Sequence, residues 1–365
     1  MREVSQSSIT YSNFLNAAGE LTQSLPSFAS QDALISLYQH MLLTRLFDLK
    51  AINLQRIGKL NTYASSLGQE AVSVGIGASM DKEDVFCPYY RDYGAQLMRG
   101  VKMSEILSFW KGDERGNCFS KCENDFSICV PIATQLLHAT GVATAFKLRK
   151  QKRVVVTSCG DGATSEGDFY EALNIAGVWQ LPVVFVINNN QWAISLPLDA
   201  QTHAKTLAQK AIAAGISGEQ VDGNDVVAVK FVVDRAIAKA RVGNGPSVIE
   251  ALTYRLGDHT TADDANGYRS QDKYGEVLQQ AWKEEPLLRL RRYLFEKKYW
   301  SEAEEEQLKK RYHATIEMAV AEYLALPKPT ITDLFDYHYA TLPADLSEQR
   351  IEAEALFRLH EIGKE

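Results

Sequence analysis

The sequence has 365 residues, 45% of them hydrophobic and 23% charged, with a formal net charge of -7 and a pI near 5.6. That length allows one large α/β domain with its own core, and the acidic balance gives no electrostatic footprint for nucleic acid. No apolar run reaches the ~18 uninterrupted residues of a membrane span, and "MREVSQSSITYSN" lacks a secretory pattern, so a cytoplasmic protein is the expectation for a bacterial host.

Residues 1–29 read as an N-terminal extension, 30–330 as one α/β domain and 331–365 as a C-terminal tail. Ser30 precedes "QDALISLYQHMLLTRLFDLKAINLQRIGK", where Leu34, Leu37, Met41, Leu42, Leu46 and Leu49 recur near helical spacing and Gly58 is a stop signal. Cys87, Cys118, Cys122, Cys129 and Cys159 are an odd set in a chain with a full-sized core, which favours reduced thiols over a disulfide framework. "CFSKCENDFSIC" has neither a CxxC pair nor a neighbouring His, so it does not match the usual zinc spacing.

Val154 to Val156 form a β-branched run, followed by a glycine-rich turn and a helix over Asp168 to Trp179 with Phe169, Leu173 and Ala176 on one side. Pro182 precedes a second run, Val183 to Ile187, completing a strand, crossover helix, strand unit of the kind that builds parallel sheets. Downstream, "VVAVKFVVDRAIAKARVG" is helical in pattern, "NGP" breaks it, and "SVIEALTYRL" reads as a strand; from Pro286 onward charged helices dominate. The alternation predicts an α/β fold with a doubly wound, mainly parallel sheet, helices on both faces and helical N- and C-terminal elaborations.

Ligands of such sheets gather beyond the carboxyl ends of the strands. "GDGATSEG" occupies that place after the first run and "NNN" after the second. Gly160 and Gly162 permit a tight turn with close backbone approach, and the helix that follows offers unpaired N–H groups to phosphate. Asp161 supplies a carboxylate oxygen and Asn190 an amide oxygen, which together with a backbone carbonyl suit Mg²⁺ against diphosphate oxygens. The third glycine comes too late for a dinucleotide fingerprint, and no P-loop ending follows.

With "MLLTRLFD", "GQEA", "YYRDYG", "PIATQ", "GDGATSEGDFYEALN", "VDGND", "TYRLGDHTTADD" and "YRS" in order, the chain resembles the alpha subunit of the thiamine-diphosphate-dependent decarboxylating component of 2-oxo acid dehydrogenase complexes. The resemblance implies thiamine diphosphate and Mg²⁺ as cofactors, with Asp161, Asn190 and the Trp192 carbonyl as metal ligands. It places Tyr90, Arg91, Gly160, Gly162 and Ala163 against the cofactor, Arg91 pairing with phosphate. Val130 and Ile132 fall where backbone groups bind the aminopyrimidine, the Ile132 side chain acting as the wedge that bends the cofactor. His259 matches a loop histidine that contacts the diphosphate near the reacting centre, and it is the catalytic candidate.

The resemblance further implies oxidative decarboxylation of a small 2-oxo acid, with pyruvate favoured over branched-chain 2-oxo acids, and acyl transfer to a lipoylated acyltransferase component. The activating glutamate is expected from a beta subunit, in a heterotetramer of two alpha and two beta subunits. A scaffold subunit without activity is the competing class, and intact Asp161, Asn190, Arg91 and His259 oppose it. Three positions stand out: Asn188, where some relatives carry a basic residue; the cysteine-bearing segment 118–129; and Thr260, where mitochondrial relatives carry a regulated serine.

Overall fold

The computed structural model describes residues 7–362. Six parallel strands form the central sheet: β1 (Tyr11–Ser12), β2 (Val85–Cys87), β3 (Val155–Gly160), β4 (Val183–Asn189), β7 (Ser217–Asp222) and β8 (Ser247–Leu252), in the order β1-β7-β8-β4-β3-β2. Between β4 and β7, β5 (Trp192–Ala193) and β6 (Leu196–Pro197) make a small antiparallel pair. β3 lies against β4 with Val155 opposite Val183 and Gly160 opposite Asn188, so the two motif-bearing turns leave the sheet side by side.

Strand side chains alternate between faces. Val156, Val184, Val186 and Ile249 pack into one core with the helices Gln31–Arg56, Glu70–Gly77, Val226–Arg241 and Pro286–Glu296. Val155, Cys159, Val183, Phe185, Ile187 and Val248 pack into a second core under the helices Thr134–Leu148 and Gly167–Trp179. From β3 to β4 the chain steps one way across the sheet, and from β7 to β8 it steps back. Crossovers of one hand run in opposite directions must lie on opposite faces, and the sheet is therefore doubly wound. A third cluster, including Phe47, Tyr63, Tyr93, Ile106 and Ile316, joins the end of the first helix to the helices Tyr93–Arg99, Met103–Lys111 and Glu302–Leu324.

The Ser30 hydroxyl caps the first long helix by accepting from the Ala33 N–H, and Gly58 follows its end at φ 70°. Asp225 has a wider role. Its Oδ1 caps the helix Val226–Arg241 through the N–H groups of Val227 and Ala228. Its Oδ2 accepts from Phe14 and Leu15 N–H, each at 2.7 Å, tying the segment after β1 to the sheet. Beyond the main body, the helix Ala344–Ile362 is tethered to residues 333–336 by Arg350 to Asp336 at 2.6 Å. No helix among the described residues is long and apolar enough to cross a membrane.

Candidate functional site

Segments leaving the carboxyl ends of β2, β3, β4 and β8 converge on a cavity of about 200 Å³. Tyr90, Arg91, Val130, Ile132, Gly160, Asp161, Gly162, Ala163, Asn190, Trp192 and His259 all line it. The eleven residues singled out from the sequence thus share one pocket.

Asp161 follows β3 directly and is almost wholly buried. Gln201 Nε2 reaches its Oδ2 at 3.4 Å, while its Oδ1 has no hydrogen-bond partner. Burial pushes the carboxyl up to about 6, with nearby backbone N–H groups, Gln201 and Arg255 only partly opposing the rise. A carboxylate oxygen left unpaired in a protein interior is costly. A Cβ on Gly162 would lie 2.9 Å from the Ala193 Cβ, whereas one on Gly160 would meet nothing within 4 Å and open space lies beside it. The turn is therefore tight on one side and leaves a cradle on the other.

Of the three asparagines at the end of β4, Asn188 and Asn190 are joined through the Tyr89 hydroxyl, which donates to the Gln69 Oε1 that Asn190 also reaches, and Asn189 pairs elsewhere. Asn188 donates to the Tyr89 hydroxyl at 3.0 Å and accepts from Thr253 at 2.7 Å. Asn189 donates to Glu250 on the neighbouring strand at 2.7 Å. Asn190 donates through Nδ2 to Gln69 Oε1 at 3.1 Å, and its Oδ1 accepts from the Trp192 N–H at 3.2 Å. Gln69 thereby fixes which way the Asn190 amide faces, and Oδ1 retains an acceptor position. Gln191 at φ 71° and Ile194 at φ 55° hold the loop carrying Trp192 in left-handed conformations that non-glycine residues adopt at a cost, a cost often met around functional sites.

Two guanidinium groups meet at His259, which also lines the cavity. Buried Arg91 donates to the Ser65 carbonyl, to the His259 carbonyl at 2.8 Å and to His259 Nδ1 at 3.1 Å. Arg255 approaches the same Nδ1 at 3.4 Å and donates to the Ile194 carbonyl at 2.7 Å. Guanidinium groups only donate, so Nδ1 must carry the lone pair and the neutral ring carries its proton on Nε2. Burial, with Arg91 and Arg255 alongside, lowers His259 to about 4. Burial and the neighbouring Arg269 and Arg91 likewise lower Arg255 to about 10.

Part of the lining is apolar. Val130 and Ile132 stay 48% and 46% exposed at the rim. Ala133, at φ 68°, turns the chain into the helix Thr134–Leu148. Cys129 also lines the pocket, and burial raises its thiol, which keeps it protonated. Among the described residues no three His, Cys, Asp or Glu side chains gather as a metal cluster.

Gln69, Arg255 and Gln201 were not singled out from the sequence. Gln69 and Arg255 sit inside the quoted "GQEA" and "TYRLGDHTTADD", but an amide or guanidinium acting on a neighbouring side chain leaves no spacing signal of its own. Gln201 lies in no motif at all.

The family model described as "Dehydrogenase E1 component" matches residues 38–332. The pyruvate dehydrogenase E1 component subunit alpha of Staphylococcus aureus is 41% identical over 322 residues, 88% of this chain and 86% of that protein. The 3-methyl-2-oxobutanoate dehydrogenase subunit alpha of Mycobacterium tuberculosis is 42% identical over 327 residues, 89% of this chain and 88% of that protein.

Proposed function

This chain belongs to the dehydrogenase E1 component family, and from that premise we propose that it is the alpha subunit of a pyruvate dehydrogenase, using thiamine diphosphate and Mg²⁺. The supporting observation is the buried Asp161 Oδ1 without a partner, in the cavity that Asn190 also lines. A hard carboxylate oxygen, an amide oxygen and a backbone carbonyl fit an ion that takes few protein ligands and completes its shell with phosphate and water.

In this reading Asp161, Asn190 and the Trp192 carbonyl hold the cation. When bound, thiamine diphosphate supplies the electron sink that lets a 2-oxo acid lose CO₂. Gly160, Gly162 and Ala163 give backbone access to the diphosphate, with Tyr90 beside it and Arg91 offering a fork matched to phosphate oxygens. Val130 and Ile132 enclose the aminopyrimidine, Ile132 serving as the wedge. His259 keeps its proton on Nε2, because Arg91 and Arg255 occupy Nδ1, and so presents a donor to an anionic oxygen without itself being charged.

The beta subunit supplies the carboxylic acid that the aminopyrimidine requires, in a heterotetramer of two alpha and two beta subunits that passes its acyl group to a lipoylated acyltransferase. The half-exposed apolar side chains at the rim, Val130 and Ile132, suit a surface that a partner covers. The Mycobacterium relative favours a second reading, in which branched-chain 2-oxo acids are the substrates. Assay of the alpha and beta chains together and of the alpha chain alone, with an artificial electron acceptor, tests the proposal. Pyruvate oxidation is expected from the pair and none from the single chain. Faster turnover of 2-oxoisovalerate than of pyruvate moves the assignment to the branched-chain class, and oxidation by the alpha chain alone refutes the shared site.

A further inference from the structure

The segment that carries Asn190 and Trp192 does not end at the pocket. Leu198 N–H donates to the Gln191 carbonyl at 3.1 Å, which folds the β5–β6 pair back and starts the short helix Leu198–Gln201. Gln201, the last residue of that helix, is half-buried beside the turn 161–165. Its Nε2 faces Asp161 Oδ2 at 3.4 Å, and its Oε1 accepts from the Ser165 hydroxyl at 3.0 Å. A carboxylate offers no proton in return, so the nitrogen of the amide must be the end turned towards Asp161, and Ser165 accommodates the oxygen.

The two oxygens of Asp161 are therefore unequal: Oδ2 has a donor and Oδ1 has none. Resting on the cation reading of Asp161 and Asn190, we propose that Gln201 is a positioning residue that occupies Oδ2, restricts Asp161 to one-oxygen ligation and thereby favours Mg²⁺ over Ca²⁺. The physical basis is the difference between the ions. Mg²⁺ demands a compact octahedron with short bonds to single carboxylate oxygens, whereas the larger Ca²⁺ readily takes both oxygens of one carboxylate. A donor held on the second oxygen opposes the two-oxygen mode and leaves the one-oxygen mode intact. Hydrogen bonds to ligating carboxylates commonly tune metal affinity in this way.

The test is a binding measurement rather than an activity. The complex with its beta chain, stripped of cations and supplied with thiamine diphosphate, is titrated with Mg²⁺ and separately with Ca²⁺, following tryptophan fluorescence, since Trp192 lines the pocket. In Gln201→Met, which keeps the length of the side chain but has no donor, Mg²⁺ affinity falls about 10-fold and Ca²⁺ affinity by no more than about 3-fold, moving the ratio towards Ca²⁺. Ser165→Ala, which releases the amide without altering Gln201, moves the ratio the same way by about 2-fold. Equal losses for both ions, or none, overturn the role of Gln201 while leaving the cation site standing. A wild-type complex in which neither ion promotes cofactor binding overturns the cation site itself, and the role of Gln201 with it.

Discussion

Asp161 and Asp225 are two buried aspartates in glycine-bearing turns after parallel strands, and burial pushes both carboxyls up to about 6. Their surroundings differ in kind. Asp225 accepts from four backbone N–H groups, two at a helix start and two in the N-terminal segment. Asp161 has one long contact on Oδ2 and an Oδ1 with no partner. A raised carboxyl pKa alone therefore does not separate a structural joint from a ligand site. The hydrogen-bond inventory does: a satisfied carboxylate organises its own chain, and one left unsatisfied in a cavity has capacity for something else.

Alanine at each position separates the two most widely. Asp161→Ala is expected to abolish cation-dependent turnover, by roughly 10³-fold or more, with no loss of stability in the cation-free protein. Asp225→Ala orphans the Phe14 and Leu15 N–H groups and removes a helix cap, costing about 2–4 kcal/mol and leaving the residual folded fraction active. Steady-state kinetics with urea unfolding reads both, and a destabilised but fully active Asp161→Ala would reverse the assignment.

The next effect falls on the guanidinium groups at His259. Arg91→Lys keeps the charge but loses the fork that reaches His259 and Ser65, and the apparent affinity for thiamine diphosphate should drop about 10- to 100-fold. Isothermal calorimetry on the complex measures it, and an unchanged affinity would remove Arg91 from the diphosphate site.

A smaller effect appears in pH dependence. The folded pKa of Asp161 stands above its ordinary 3.8, near 6. The proton therefore stabilises the cation-free fold below about pH 4, and that contribution is lost as pH rises through 6. On the proposed reading a cation binds the ionised form and offsets the loss. The rise in Tm given by Mg²⁺ with thiamine diphosphate should be large at pH 7.5 and fade towards pH 5, and in Asp161→Asn it should vanish at every pH. Asp225 shares the raised pKa but has both oxygens taken by backbone N–H donors, so Asp225→Asn should retain the full pH-dependent Mg²⁺ response.

The smallest effect is spectroscopic. With its pKa lowered to about 4 by burial, Arg91 and Arg255, His259 should remain neutral with the proton on Nε2 from pH 8 down to pH 5 in the cofactor-free chain. ¹⁵N chemical shifts of its ring nitrogens report this, and protonation near pH 6.5 would contradict the arginine contacts.

The unit from β3 to β4 was legible in the sequence because β-branched runs, a glycine turn and a helical apolar stripe coincide there, and the two motif residues come side by side from the register of Gly160 with Asn188. The family resemblance read from the same motifs agrees with the match over residues 38–332. Other strands were silent for physical reasons. β2 has three residues and β1 two, too short for any period. β7, "SGEQVD", carries polar residues in five of six positions or lacks a side chain there, and it is specified by pairing with β8 rather than by an apolar run. In the site, the eleven residues singled out from the sequence line the cavity, Ala193 and Ile194 line it from outside the quoted motifs, and Gln69, Arg255 and Gln201 contact neighbouring side chains instead. Only three-dimensional contacts reveal such residues.

The most direct measurement is an anomalous-scattering map from crystals of the complex grown with Mn²⁺ and thiamine diphosphate. One strong peak per alpha subunit is expected within bonding distance of Asp161 Oδ1, Asn190 Oδ1 and the Trp192 carbonyl. No peak there with the cofactor present, or a metal held elsewhere in the cavity, would contradict the account.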